Sequence, residues 1–157
     1  MEQAIHLYDL CRYFFGDPES VTGLMSNAVH GGIPGYTIED VSGSIASFPS
    51  GAIACISANN CAIPGKWMMA FEITYEKITI HFDDPNTASF YYVEGDGFRV
   101  EHFNEPVDLL MEAAKCFIDI IRDDKEPICD IAEGLRSFNY VDAIMRSAVT
   151  DGQKTMV

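Results

Sequence analysis

Residues 41–58 read VSGSIASFPSGAIACISA. Two runs, Val41–Phe48 and Ala52–Ala58, repeat with a period of two, and Pro49, Ser50 and Gly51 stand between them. This is the pattern of two antiparallel strands joined by a hairpin turn. Successive side chains of a strand point to opposite faces, and Pro, Ser and Gly favour a tight reversal. In the second run Ile53 and Cys55 share one side, while Ala54, Ile56 and Ala58 share the other. Neither side is polar. A sheet apolar on both faces needs two covers. A domain with few helices provides one of them, so the other is expected from a second subunit or domain.

The period of two continues across residues 39–101. Trp67–Tyr75 and Ile78–Phe82 meet at Glu76-Lys77, and Ala88–Val93 and Phe98–His102 meet through "EGDG" (94–97). Met69, Phe71, Ile73 and Tyr75 point one way, as do Ile78, Ile80 and Phe82, and helices are expected on that side. Upstream, an amphipathic helix is predicted over about Glu2–Phe15. Gly16 stands in its C-terminal cap and Pro18 follows. A strand around Val21–Val29 and a Gly/Pro loop, "HGGIPGY" (30–36), come next. Downstream, Val107, Leu110, Met111, Ala114, Phe117, Ile118 and Ile121 form a stripe at helical spacing. Asp130 is placed to cap a last helix carrying Leu135, Phe138, Val141, Ile144, Met145 and Ala148, and "QKTMV" (153–157) suggests a short edge strand. The predicted class is α+β: one large, mainly antiparallel (mixed) β-sheet with helices packed on one face, in a single domain over residues 1–157.

Composition narrows the function. Asp and Glu number 24 against 10 Lys and Arg, for a formal net charge of −14, and there is no basic stripe. Phosphate backbones and anionic membranes are repelled by such a surface, so neither nucleic acid nor membrane is an expected partner. No apolar run approaches the roughly 20 residues that span a bilayer. The N-terminus lacks the basic-then-apolar order of a secretory signal. Five cysteines, an odd number with no pair at metal-ligand spacing, read as reduced thiols in a cytoplasmic protein. Neither "HGGIPGY" nor "EGDGF" (94–98) has the strand before it and the helix after it that a dinucleotide fingerprint requires, so both read as turns.

Three stretches together resemble one family, the C-terminal α/β domain of the Gfo/Idh/MocA oxidoreductases. They are "EQAIHLYDLCRYFFGDPESV" (2–21), "EDVSGSIASFPSGAIACI" (39–56) and "CFIDIIRDDKEPICDIAEGLRSFNYVDAIMRSAVTDGQ" (116–153). The last is the most specific. The resemblance implies a two-domain enzyme in which an N-terminal Rossmann domain holds NAD or NADP. The C-terminal domain then contributes the substrate site and, through its sheet, a homo-oligomer interface. This sequence contains no GxGxxG and no Glu-Lys-Pro segment of the kind that carries the family's lysine. The expectation is therefore an excised or truncated C-terminal domain that lacks its Rossmann partner. By itself such a chain would be inactive on a sugar, cyclitol or other polyol and would bind no NAD(P).

Residue by residue, the resemblance assigns His6 as the catalytic base. An imidazole suits the task because its unperturbed pKa, about 6.5, lies near working pH. Glu2 falls where the family usually carries aspartate. Four residues separate it from His6, which puts both on one helix face. Asp9 is placed either to orient the imidazole or to bond a nearby backbone group. His30 and Tyr36, in the loop after the first predicted strand, are further substrate-contact candidates. One helix seldom completes a metal shell, so no metal site is expected from Glu2, His6 and Asp9. A domain of this ancestry that retains assembly but not catalysis is the competing reading.

Overall fold

The computed structural model describes residues 4–61 and 63–157. In chain order the elements are α1 (Ile5–Phe15), β1 (Ser20–Ser26), β2 (Val41–Ser47), β3 (Ile53–Asn59), β4 (Phe71–Tyr75), β5 (Ile78–Asp84), β6 (Thr87–Glu94), β7 (Gly97–Asn104), α2 (Leu109–Asp123), α3 (Ile131–Val149) and β8 (Thr155–Met156). The α+β class and the antiparallel pairing are as expected. The strands form two four-stranded ladders, β3-β2-β1-β8 and β4-β5-β6-β7. The chain accordingly divides into two compact units, Met1–Pro64 with Ile128–Val157 and Gly65–Pro127.

The first unit is built on the hairpin read from residues 41–58. Val41 pairs with Asn59 and Ser47 with Ile53. Gly51, at φ +85°, lets the turn close, with its N–H donated to the Phe48 carbonyl at 2.9 Å. The period of two then sorts the faces. Ser42, Ser44 and Ala46 are buried, whereas Val41 and Ile45 are exposed. α1 and α3 cover the inner face, where Tyr8, Val21, Ala46, Phe48, Tyr140, Val141, Ala143 and Ile144 form the core. Tyr8 and Tyr140 meet edge to face with ring centroids 4.9 Å apart.

Close approach of α3 to β1 depends on Gly23. A Cβ there would meet the Ile144 side chain at 2.5 Å, while the Gly23 N–H is donated to Ser147 Oγ at 2.9 Å. β8 pairs with β1 at Ser20 and Val21, the edge position expected of the C-terminal segment. Asp130 caps α3 by accepting the Glu133 N–H at 2.9 Å.

A buried cation ties α1 to α3. The Arg12 guanidinium donates to Asp17 (2.7 Å), the Glu133 carboxylate (2.9 Å), the Glu133 carbonyl (3.0 Å) and Ser137 Oγ (2.7 Å). Burial alone would lower its pKa. The Asp17 and Glu133 partners outweigh that and raise it.

In the second unit, the outer rows of β4 to β7 follow the same alternation. Phe71, Ile73, Ile80, Phe82, Phe90 and Phe103 share one face. Phe71 and Phe82 stack at 4.2 Å, and Phe90 meets Phe103 at 4.7 Å. The strand predicted from Trp67 begins at Phe71 instead. Phe71 pairs with Phe82, and β5 has only Asp83 and Asp84 left before the turn at Pro85 and Asn86. Trp67 and Met68 therefore have no strand opposite them, and both are exposed. α2 begins at its Asp108 cap, whose carboxylate accepts the Met111 N–H at 3.0 Å, and none of its residues is buried.

Candidate functional site

Two groups of polar side chains in the first unit carry the sequence-predicted residues. The first is the exposed side of α1. Amphipathic spacing turns Tyr8 and Arg12 inward and leaves His6 and Asp9 at the surface. His6 thus presents its imidazole outward. Asp9 has a different engagement. It accepts a hydrogen bond from Ser137 of α3 and stands 3.6 Å from the Arg12 guanidinium, joining the buried network below. The structure does not bring Asp9 and His6 into a hydrogen bond. Glu2 lies outside the described residues.

The second group is the loop between β1 and β2, and its hub is Asp40, which the sequence reading did not single out. Its side chain is fully buried. Oδ2 accepts the backbone N–H groups of Val29 and His30, both at 2.7 Å. Oδ1 accepts from His30 Nδ1 at 2.5 Å and from the Tyr36 hydroxyl at 3.1 Å. Tyr36 in turn accepts from Asn60 Nδ2 at 3.1 Å, and the same amide is donated to the Glu39 carbonyl at 3.0 Å. The His30 and Tyr36 rings lie 5.0 Å apart. The two loop residues predicted as substrate contacts are therefore neighbours, fixed by one carboxylate.

Burial by itself would raise the Asp40 pKa. The His30 amide and imidazole, the Val29 amide and the Tyr36 hydroxyl outweigh it and hold the carboxyl far below the usual carboxylate range. Partial desolvation pushes the Tyr36 phenol up, opposed by Asn60 and reinforced by the Asp40 charge. A signal for Asp40 was present in the sequence. It lies in phase with Ser42, Ser44 and Ala46, so the period of two already turns it inward, and a buried carboxylate must find donors. Asn60 carried no comparable signal, and neither did the tie of Arg12 to Glu133 and Ser137, because those partners lie far away in the chain.

The outer face of the first sheet is the third feature. Leu24, Ile45 and Ile53 are 57%, 53% and 70% exposed, and Cys55 is exposed among them. An open depression of about 360 Å³ lies on the sheet, bordered by Thr22, Leu24, Gly43, Ile45, Cys55 and Ser57. Cys11 faces the other way, and burial pushes its thiol up to about 11. Among the described residues, no three His, Cys, Asp or Glu side chains are grouped to hold a metal ion, and no helix is long and apolar enough to cross a membrane. Both glycine-rich stretches are turns: residues 30–36 lie between β1 and β2, and residues 95–96 join β6 to β7.

Solved structures of sugar-processing oxidoreductases share this fold. The WlbA dehydrogenase from Bordetella pertussis, determined with NADH and UDP-GlcNAcA, is 26% identical with a TM-score of 0.72, over 99% of this chain and 43% of its own. Levoglucosan dehydrogenase, determined with NADH and levoglucosan, is 21% identical with a TM-score of 0.81, over 98% of this chain and 49% of its own. The aldose-aldose oxidoreductase from Caulobacter crescentus, complexed with glycerol, is 18% identical with a TM-score of 0.79, over 98% and 46%. The chain thus spans less than half the length of each of these enzymes. No curated protein sequence matches it. The family profile described as the GFO/IDH/MocA C-terminal domain matches residues 1–81, which hold α1, the Asp40 loop and the first hairpin. By that match, and by the fold it shares with these dehydrogenases, the chain belongs to the GFO/IDH/MocA C-terminal domain family.

Proposed function

We propose that this chain forms the substrate-facing half and the oligomer interface of a cytoplasmic NAD(P)-dependent dehydrogenase acting on a sugar, cyclitol or related polyol. The observation that carries the reading is the family match over residues 1–81, within which His6 stands exposed on the outer side of α1. An accessible imidazole has the chemistry to take the hydroxyl proton of a carbinol as its hydride leaves. The sugar ligands and NADH of the similar structures support the same class of substrate and cofactor. In this reading His6 is the base, and Glu2, Asp9, His30 and Tyr36 contact or orient the substrate.

The dinucleotide does not fit the residues described here. Neither glycine-rich turn opens a helix whose N-terminus would hold a pyrophosphate. The cofactor would be held by a Rossmann domain outside this sequence, and the chain alone is expected neither to bind NADH nor to turn over substrate. The coding sequence upstream of residue 1 tests this directly. If it encodes a glycine-rich nucleotide-binding fold in frame, the whole enzyme should reduce NAD(P) with a neutral sugar, and His6→Asn should cost ~10²–10⁴-fold in kcat. Unchanged turnover in that variant, or low-micromolar NADH binding by the chain alone, would sink the assignment.

The exposed apolar sheet face supports a second reading, a non-catalytic homo-oligomeric module of the same ancestry. A stop codon directly upstream would favour it. Both readings expect a dimer or tetramer by light scattering, and a monomer at micromolar concentration would count against the sheet face as an interface.

A further inference from the structure

We propose that Asp40 is a positioning residue that fixes the tautomer of His30, making His30 Nε2 a hydrogen-bond acceptor for a hydroxyl of a neutral ligand. The inference deepens the sugar or polyol reading above, and its ligand half rests on that reading. The starting point is the geometry of the carboxylate. Asp40 is wholly buried, and each of its oxygens accepts two hydrogen bonds, from Val29 N–H and His30 N–H on one side and from His30 Nδ1 and the Tyr36 hydroxyl on the other. An ionised carboxylate only accepts, so the ring nitrogen facing it at 2.5 Å must carry the proton. In the neutral ring the lone pair then sits on Nε2. Among the described residues nothing bonds Nε2, and the His30 side chain is 32% exposed.

The rest of the cluster removes the ring's alternatives. The His30 backbone N–H is tied to the same carboxylate as its side chain, which restricts the ring from two points. Tyr36 packs 5.0 Å from the imidazole, and Asn60 holds the Tyr36 oxygen from the far side. A group held this firmly by one nitrogen, with the other left open, is an acceptor waiting for a donor. A hydroxyl supplies that donor; a carboxylate or carbonyl oxygen has no proton to give. The subsite therefore selects a neutral, hydroxyl-bearing part of a ligand, independently of what His6 does. The arrangement follows the general rule that an imidazole's working nitrogen is set by the bond its other nitrogen makes.

Two measurements on the full chain test the proposal. The first is long-range proton–nitrogen correlation NMR on the His30 ring. Wild type should show a protonated Nδ1 and a bare Nε2, and Asp40→Asn should lose that single-tautomer pattern. Tyr36→Phe, which leaves the carboxylate in place, should keep it. A wild-type ring protonated on Nε2 overturns the positioning role.

The second is calorimetric titration with levoglucosan as the neutral sugar and succinate, which carries carboxylates and no hydroxyl, as the comparison. Levoglucosan should bind the wild type more tightly than succinate does, and His30→Gln should weaken it at least tenfold while the protein stays folded by circular dichroism. Unchanged affinity in folded His30→Gln would make His30 purely structural and overturn the subsite. If wild type binds no neutral sugar while the NMR pattern holds, the ligand half fails together with the polyol reading and the positioning half stands.

Discussion

The two units are built from the same alternating pattern and hold themselves together differently. In the first, α1 and α3 close over one side of the sheet, and Tyr8, Tyr140 and Ile144 are removed from water completely. In the second, Ile73 and Ala88 are the buried apolar side chains among the described residues, and α2 buries none. Its ladder relies on cross-strand pairs such as Phe71 with Phe82 and on surface contacts such as Arg99, which donates to Glu94 at 2.8 Å and lies 4.2 Å from the Tyr92 ring. Burial of apolar area contributes far more per residue than exposed pairs do. The lesson is that amphipathic spacing identifies a face, whereas stability depends on whether something covers it.

Breaking the covered unit should have the largest effect. Ile144→Ala removes a fully buried side chain that rests against Gly23, and should cost about 2–5 kcal/mol in chemical denaturation. A loss below about 1 kcal/mol would mean that the first unit is not where the folding energy lies. Arg12→Met comes next, at about 2–3 kcal/mol. It leaves the buried Ser137 hydroxyl without its guanidinium donor, while Asp17 and Glu133 remain partly solvated and soften the loss.

Asp40 sharpens the comparison through pH. Its carboxyl is held below its ordinary value of 3.8, so the stabilisation is complete above that value. It is lost as the pH falls toward the folded-state pKa, because the unfolded chain then binds the proton first. Asp40→Asn should therefore flatten the acid limb of the melting-temperature profile below about pH 4. An unchanged acid limb would contradict the buried-carboxylate geometry.

Smaller effects test the comparison from the other side. Among the described residues the buried Tyr140 hydroxyl has no hydrogen-bond partner, so Tyr140→Phe should be neutral to about 1 kcal/mol stabilising. Ile118→Gln on exposed α2 should change stability by less than about 0.5 kcal/mol, and a larger loss would show that α2 is covered in solution. Amide exchange should follow the same order, with β1 and α3 more protected than β4 and β7.

Local chemistry wrote much of this fold into the sequence. The hairpin at 41–58, the β4-β5 and β6-β7 hairpins, the Asp130 cap and the end of α1 at Gly16 all rest on interactions that close within a few residues. So did the outward position of His6, because helical spacing turns Tyr8 and Arg12 to the core and leaves His6 on the far side. The start of β4 was not legible, since it is set by how much of β5 remains opposite, and that is a property of the pair. The division of the strands into two ladders was likewise hidden, because an alternating run does not name its neighbour.

The site separates along the same line. The sequence by itself determined the residue types, the α+β class, the exposed imidazole of α1 and the loop that carries His30 and Tyr36. Only the tertiary structure decided that Asp9 belongs to the Arg12 and Ser137 network, and that Asp40 gathers Val29, His30 and Tyr36 around one buried carboxylate. The physical reason is reach. Propensity and periodicity act over one turn or one strand, whereas a buried charge draws its partners from wherever the folded chain brings donors within hydrogen-bond distance.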